Sequence, residues 1–224
     1  MSRIEAVSFD LDNTLLRYER SPGEVLRLAF ETVGVDPLFS VDNYYDRYDE
    51  FAQQCDSMGE LRSACFAALA AENGYERRLG RAVADAFRAE RDQSNVELFP
   101  SVPDVLETLS RRYRLAVITN GAPDAQREKI DATGLERWID TVVIAGHEIP
   151  PKPSPKPFER ALRALDASSE TAVHVGDSLE TDVRGAAAAG LESVWVAADG
   201  DAGNDDPTYR VEGISELSPP PWTG

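Results

Sequence analysis

Short apolar runs recur along the chain between polar or glycine boundaries: IEAVSF (4–9), RLAVIT (114–119), TVVIAG (141–146), TAVHVG (171–176) and SVWVAA (193–198). Their near-continuous apolar character predicts strands covered on both faces, not the alternation of a half-exposed sheet. Around the later four, apolar residues recur at helical spacing over 102–112, 122–132, 155–166 and 179–189. Pro103 opens the first of these helices, Phe158, Leu162 and Leu165 mark the third, and Gly134 and Gly190 stand just past the second and fourth. Strand–helix alternation of this kind predicts an α/β fold. Its core is a Rossmann-like parallel sheet of five or more strands, with right-handed crossovers and helices on both faces.

The first strand breaks the rhythm. Between Leu16 and Val96 no strong strand signal occurs. Ser21-Pro22-Gly23-Glu24 reads as a capping box opening a helix that runs to about Val33. Residues 41–55, 59–72 and 77–91 carry further helical periodicity. The organisation expected is therefore a core made of residues 1–16 and 97–224, with an all-helical insert over 17–96. The Tyr44-Tyr45-Tyr48-Phe51 cluster reads as core of that insert. The tail, acidic and glycine-rich over 199–206 and closed by Pro219-Pro220-Pro221, reads as surface-wrapping or mobile.

Composition narrows the partners. The 224 residues hold 23 Lys and Arg against 40 Asp and Glu, a net charge of −17. Such an acid excess opposes nucleic-acid phosphates and anionic membranes, while leaving room for a small anion in a local basic pocket. Lys129, Lys152 and Lys156 are the only lysines. A lysine-poor, acid-rich surface fits a halophilic protein, because molar salt shortens the Debye length to about 3 Å and screens self-repulsion. Cys55 and Cys65 do not make a disulfide framework in a chain this long. With no apolar run of membrane-spanning length and no leader pattern before the first strand, the reading is a cytoplasmic protein. Oligomeric state, monomer or homodimer, stays open.

Ligands of open α/β sheets bind beyond the carboxyl ends of the strands. There the sequence offers Asp10 and Asp12, then Thr119 and Asn120, then Lys152, then Asp177 with Asp182 on the next helix, and Asp199 after the last run. Converging carboxylates repel one another without a cation, and an all-oxygen donor set suits Mg2+. A carboxylate, Mg2+ and a lysine together neutralise a phosphoryl group that an aspartate can attack.

These stretches, Asp10-Leu11-Asp12-Asn13-Thr14-Leu15, Thr119-Asn120-Gly121, Lys152-Pro153-Ser154-Pro155 and Gly176-Asp177-Ser178 with Asp182, resemble in order the four motifs of the haloacid dehalogenase-like (HAD) hydrolase superfamily. The helical insert resembles that family's C1 cap. The resemblance implies a Mg2+-dependent phosphomonoester hydrolase acting on a small phosphorylated metabolite through an aspartyl phosphate. It implies Asp10 as nucleophile and Asp12 as general acid/base. Thr119, Asn120 and Lys152 would bind phosphate, and Lys152 would also balance the nucleophile's charge. The metal would be held by Asp10, Asp12 through its carbonyl, Asp177 and Asp182, the last directly or through water.

Bland readings stand beside these. Thr119 and Asn120 could cap the helix near Ala122, since capping and phosphate binding use the same N–H groups. Asp182 could complement a helix dipole. Spacing to Pro153, Pro155 and Phe158 favours Lys152 over Lys156, which reads as solvated. His147 and His174 read as structural, and Trp138 and Trp195 as packing. A 2-haloacid dehalogenase has no need of Asp12, which argues against that member of the superfamily. A phosphomutase differs in insert residues that the sequence leaves illegible. A non-catalytic acidic interaction protein would be expected to have lost Asp10, Asp12 or Lys152.

Overall fold

The computed structural model describes residues 4–52, 54–55, 58–197, 200, 202–203 and 205–223, so Asp199 lies outside the described residues. Two compact units divide the chain: Met1–Arg17 with Val96–Gly224, and Tyr18–Asn95. In chain order the elements begin with β1 (Ala6–Phe9), β2 (Leu16–Tyr18), α1 (Pro22–Val33), α2 (Val41–Ala52), α3 (Met58–Glu72) and α4 (Arg77–Glu90). There follow β3 (Val96–Leu98), α5 (Val102–Ser110), β4 (Arg114–Asn120), α6 (Pro123–Thr133), β5 (Thr141–Ala145) and α7 (Lys156–Leu165). The chain closes with β6 (Ala172–Gly176), α8 (Arg184–Ala189), β7 (Glu192–Val196) and β8 (Tyr209–Val211).

The first unit is the α/β fold that the alternation predicts, with a parallel sheet in the order β5-β4-β1-β6-β7-β8. β1 is central. Its Phe9 pairs with Val117 on one side and Val175 on the other. Every residue of β1 and β6 is buried, which explains their near-continuous apolar runs. Side-chain alternation sends Val7, Phe9, Val117 and Val175 to one face, where Val105 and Leu106 of α5 and Ile130 of α6 cover them. Ala6, Ala116 and Ile118 go to the other, under Phe158, Ala161 and Leu165 of α7. Strand order reverses between β1 and β6. In open α/β sheets ligands bind outside the carboxyl ends of the strands at such a switch point.

The tail departs from expectation. Tyr209–Val211 adds β8 parallel to β7, and Val211, Ile214 and Leu217 are buried in the main core. A three-residue strand falls below any periodicity window, and its anchors are spread singly among polar residues. β2 and β3, the two strands of a separate small sheet, escaped notice for the same reason. A second departure lies at 179–189, expected as one α-helix. Leu179–Val183 instead winds as a π-turn before α8 begins.

The second unit has its own core. The capping box is present: the Ser21 hydroxyl accepts from Glu24 N at 3.2 Å, and Glu24 accepts from Ser21 N at 2.8 Å. Gly34 ends α1 in the left-handed conformation at φ 75°. Val25, Phe30, Tyr44, Phe66, Val83 and Phe87 pack together. Phe66 meets Phe39, Tyr44 and Phe87 edge to face, at centroid separations of 4.9, 5.1 and 5.6 Å. Tyr44 thus belongs to that core, whereas Tyr45 is exposed. Cys65 is free and buried, and burial pushes its thiol up to about 11, which makes it unreactive.

Candidate active site

The switch point gathers Asp10 from the end of β1, Asp177 from the end of β6 and Lys152 from the loop between β5 and α7. β1 stops at Phe9, and Asp10 N donates to Val175 O at 2.8 Å, which locks Asp10 beside the end of β6. Asp177 follows β6 directly. Lys152, buried on the loop before α7, reaches across. Its ammonium donates to Asp10 Oδ1 at 2.6 Å, Asp182 Oδ1 at 2.6 Å and Ile118 O at 2.8 Å. All three N–H bonds are thereby used. On Asp10 only Oδ1 takes a protein donor among the described residues. Oδ2 is left for other chemistry.

The loop that carries Lys152 is fixed by Asn120. Its side chain accepts from Lys152 N at 2.8 Å and donates to Lys152 O at 3.0 Å, a two-way clamp of backbone by amide. Neither Thr119 nor Asn120 caps α6, whose N-cap is Ala122 with no side-chain cap bond. The helix-capping alternative therefore falls away. Lys156 is exposed, as expected.

Asp182 is aimed inward by the π-turn, a feature frequent at functional sites. It is 1% exposed. Its side chain lies so close to Gly176 that a Cβ there would sit 2.3 Å from Asp182 Cγ; glycine is the residue that fits. Asp182 Oδ1 receives Lys152 and, at 3.2 Å, His174 Nε2, while Oδ2 receives Ser178 N at 3.1 Å. His174 is structural, as its strand pattern indicates, but it also orients this carboxylate. Burial, only partly offset by Asp182, holds the imidazole below its usual pKa and hence neutral. Nε2–H then donates to Asp182, and Nδ1 accepts from the Ser8 hydroxyl at 2.9 Å.

The carboxylates are driven apart electrostatically. Burial pushes Asp10 up to about 7, with Lys152 opposing and Asp182 and Asp177 adding to the rise. Asp177 is raised by burial and by Asp182, against a 3.2 Å bond from Thr14 Oγ1. Burial also acts to raise Asp182, but the His174 bond and Lys152 overcome it and hold it at about 2. Lys152 follows the same logic: burial favours loss of its proton, and Asp10 and Asp182 outweigh burial and raise it. One lysine thus stabilises two carboxylates unequally, because Asp182 has further donors and Asp10 has none.

Asp10, Asp177 and Asp182 each place an oxygen within 4.8 Å of the other two. Three carboxyl groups against one ammonium leave negative charge that a cation would offset, and oxygen donors alone favour a hard one. These residues fit a divalent metal ion. Trp195, read as packing, also donates from Nε1 to Asp177 O at 2.9 Å and so braces that residue's backbone.

Asp12 sits apart from that cluster. Lys129 Nζ donates to both its oxygens at 2.8 Å, and Gln126 Nε2 to Oδ2 at 3.0 Å. Asn13 follows in the left-handed region at φ 60°, where the chain turns out of the strand direction. Leu11 between the aspartates is buried, as alternation predicts. Sequence reasoning missed Gln126 and Lys129. The available signal was their i, i+3 spacing on a helix that starts from a strand end already carrying Thr119 and Asn120.

Fold and site together define a doubly wound α/β enzyme with a cluster of carboxylates at the central strand end. The chain belongs to the haloacid dehalogenase-like hydrolases: that family's model matches residues 4–190. It is 39% identical over 139 residues to the phosphoserine phosphatase of Thermus thermophilus, a match that covers 62% of this chain and 55% of that protein. It is 30% identical to the human N-acylneuraminate-9-phosphatase over 240 residues, covering 97% of this chain and 93% of that protein. The crystal structure of the HAD-hydrolase YfnB of Bacillus subtilis, bound to magnesium, superposes with a TM-score of 0.75 at 24% identity. It covers 96% of this chain and 97% of that one, a likeness of fold.

Proposed function

We propose that this hydrolase is a Mg2+-dependent phosphomonoesterase acting on a small phosphorylated metabolite through a phosphorylated Asp10. The observation that carries the reading is Asp10 itself, pinned by Lys152 on Oδ1, bare of protein donors on Oδ2 among the described residues, and set among two further carboxylates. Relatives named as phosphatases support the phosphate class.

Asp10 Oδ2 attacks phosphorus, and the bond from phosphorus to the ester oxygen breaks. Asp12 gives that oxygen its proton, so the alcohol leaves neutral. Asp12 then takes a proton from water, whose oxygen attacks the phosphoryl group, and inorganic phosphate departs from a regenerated Asp10. Thr119 and Asn120 receive the phosphate, and Lys152 offsets charge on nucleophile and phosphoryl group. Mg2+, held by Asp10, Asp177 and the Asp12 carbonyl, would neutralise the phosphoryl oxygens as the aspartate approaches. Asp182, its oxygens engaged by Lys152, His174 and Ser178, orients Lys152 and adds negative charge around the ion.

The test is hydrolysis of p-nitrophenyl phosphate in low and molar KCl. Turnover is expected with Mg2+, lost in EDTA and restored by added Mg2+. Rates no greater than those of an Asp10→Asn control would remove the reading. Halide release from 2-chloropropionate without metal would replace it with the dehalogenase.

The surface supports a high-salt setting. Lys129 and Lys152 are 4% and 3% exposed, so Lys156 is the one lysine that faces solvent. The melting temperature is expected to rise by several degrees between dilute buffer and molar KCl, as screening removes repulsion among unpaired surface carboxylates. A flat or falling curve would count against halophilic adaptation.

A further inference from the structure

We propose that Gln126 and Lys129 are positioning residues for Asp12, holding its carboxylate and tying it to the phosphate-binding strand end. The inference rests on the acid/base role given to Asp12 above. Lys129 grips both oxygens of Asp12, and Gln126 grips one. The same Gln126 amide nitrogen lies 2.9 Å from Thr119 Oγ1 and 2.7 Å from Asn120 O. Three oxygen neighbours identify this end of the amide as nitrogen. Two N–H groups facing three acceptors make the amide a shared tether: displacement of Asp12 is felt at Thr119 and Asn120. Gly121 keeps the tether short, because a Cβ there would lie 2.9 Å from Gln126 Nε2.

Stability alone does not account for this clasp. It buries an ammonium, and it leaves Gln126 Oε1 buried without a partner among the described residues. Asp12, with 31% of its side chain exposed, would be hydrated without either residue. Two apolar side chains would fill the same space with no orphaned acceptor. Lysine usage points the same way. The chain has 23 basic residues, only three of them lysines, and the two buried ones contact Asp10 and Asp12. At Asp12 a compact ammonium on a straight stem meets both oxygens from within the core; a guanidinium fork would need more room.

The chemistry supplies a discriminating readout. When the ester bond breaks, a basic leaving oxygen needs its proton in the transition state, whereas p-nitrophenolate departs as an anion. Misplacing Asp12 must therefore penalise poor leaving groups more. The experiment measures kcat/KM with Mg2+ for a series of substituted phenyl phosphates, from p-nitrophenyl to unsubstituted phenyl. In Lys129→Met the loss is expected to be roughly tenfold greater for phenyl than for p-nitrophenyl phosphate. Gln126→Leu should show the same trend more weakly, and Lys129→Gln, which keeps a donor, should fall between Lys129→Met and wild type. Placed on Asp12→Ala, Lys129→Met should add no further steepening. Thermal melts confirm that each variant folds. Equal loss across the series, or full steepening in the Asp12→Ala background, would overturn the proposal. A flat series for Asp12→Ala itself removes the acid/base role and this proposal with it. A steep Asp12→Ala with a flat Lys129→Met leaves the function standing and removes only the clasp.

Discussion

Asp10→Asn is expected to abolish turnover and yet to raise the melting temperature of the metal-free protein at pH 8. The first half follows from the proposed chemistry. Without a carboxylate no phosphoryl-enzyme forms, and a loss of about 10^4-fold or more is the usual scale for removing a nucleophile. The second half follows from burial. Asp10 has its pKa pushed from 3.8 to about 7, so the folded state resists its charge. Between those values the folded protein holds a proton that the unfolded chain has released, and stability declines as pH rises. The penalty is absent below the unfolded value and complete above about 7. At about 1.4 kcal/mol per pH unit it reaches a few kcal/mol. Asparagine still accepts from Lys152 and carries no charge, so the variant avoids the penalty. The gap between variant and wild type should be widest at pH 8 and nearly closed at pH 4.5. Melting curves across that range test this; an Asn variant less stable at pH 8 would mean that the bond to Lys152 outweighs burial.

The same tension explains what the sequence disclosed. The strands were legible because a parallel sheet covered on both faces writes itself as near-continuous apolar runs. The strand ends were legible because charge at the end of a buried strand needs a reason. Neither rule reaches β8, whose Tyr209–Val211 is three residues long. Nor do they reach Gln126 and Lys129, which sit on α6 in a stretch that periodicity reads as an ordinary amphipathic helix. Their role depends on what faces them across the fold, and no local pattern encodes that. His174 was seen as structural because it lies in a buried strand. That it braces Asp182 depends on the π-turn, which winds one residue wider than the helix expected there. The unequal fate of Asp10 and Asp182 was likewise hidden, since it comes from counting donors around each carboxylate.

Lys152→Met should strongly destabilise the fold at neutral pH. It removes the ammonium shared by Asp10 and Asp182 and leaves Ile118 O without that donor. Removing one partner from a buried ion pair costs about 3–5 kcal/mol. For a domain of this size that is a drop of roughly 6–20 °C in melting temperature. The pH dependence has a definite sign. Asp182 is held at about 2, below its usual 3.8, so its contribution is present above 3.8 and lost as pH falls through 2. The variant gives up part of that contribution, so its deficit is full at pH 7 and shrinks only once the solution is acidified below 3.8, toward pH 3. Mg2+ should restore more stability to the variant than to wild type, because a divalent ion among Asp10, Asp177 and Asp182 supplies the charge that the lysine no longer does. Turnover should not return with it, since the proposed chemistry uses the ion and the lysine together and the variant has the ion alone. Lys156→Met, on the exposed start of α7, serves as the control and should leave both properties unchanged. Melts at pH 7 and pH 3, and at pH 7 with and without Mg2+, together with steady-state rates, decide the matter. A Lys152→Met protein that melts like wild type at pH 7 would show that Asp10 and Asp182 do not depend on the lysine.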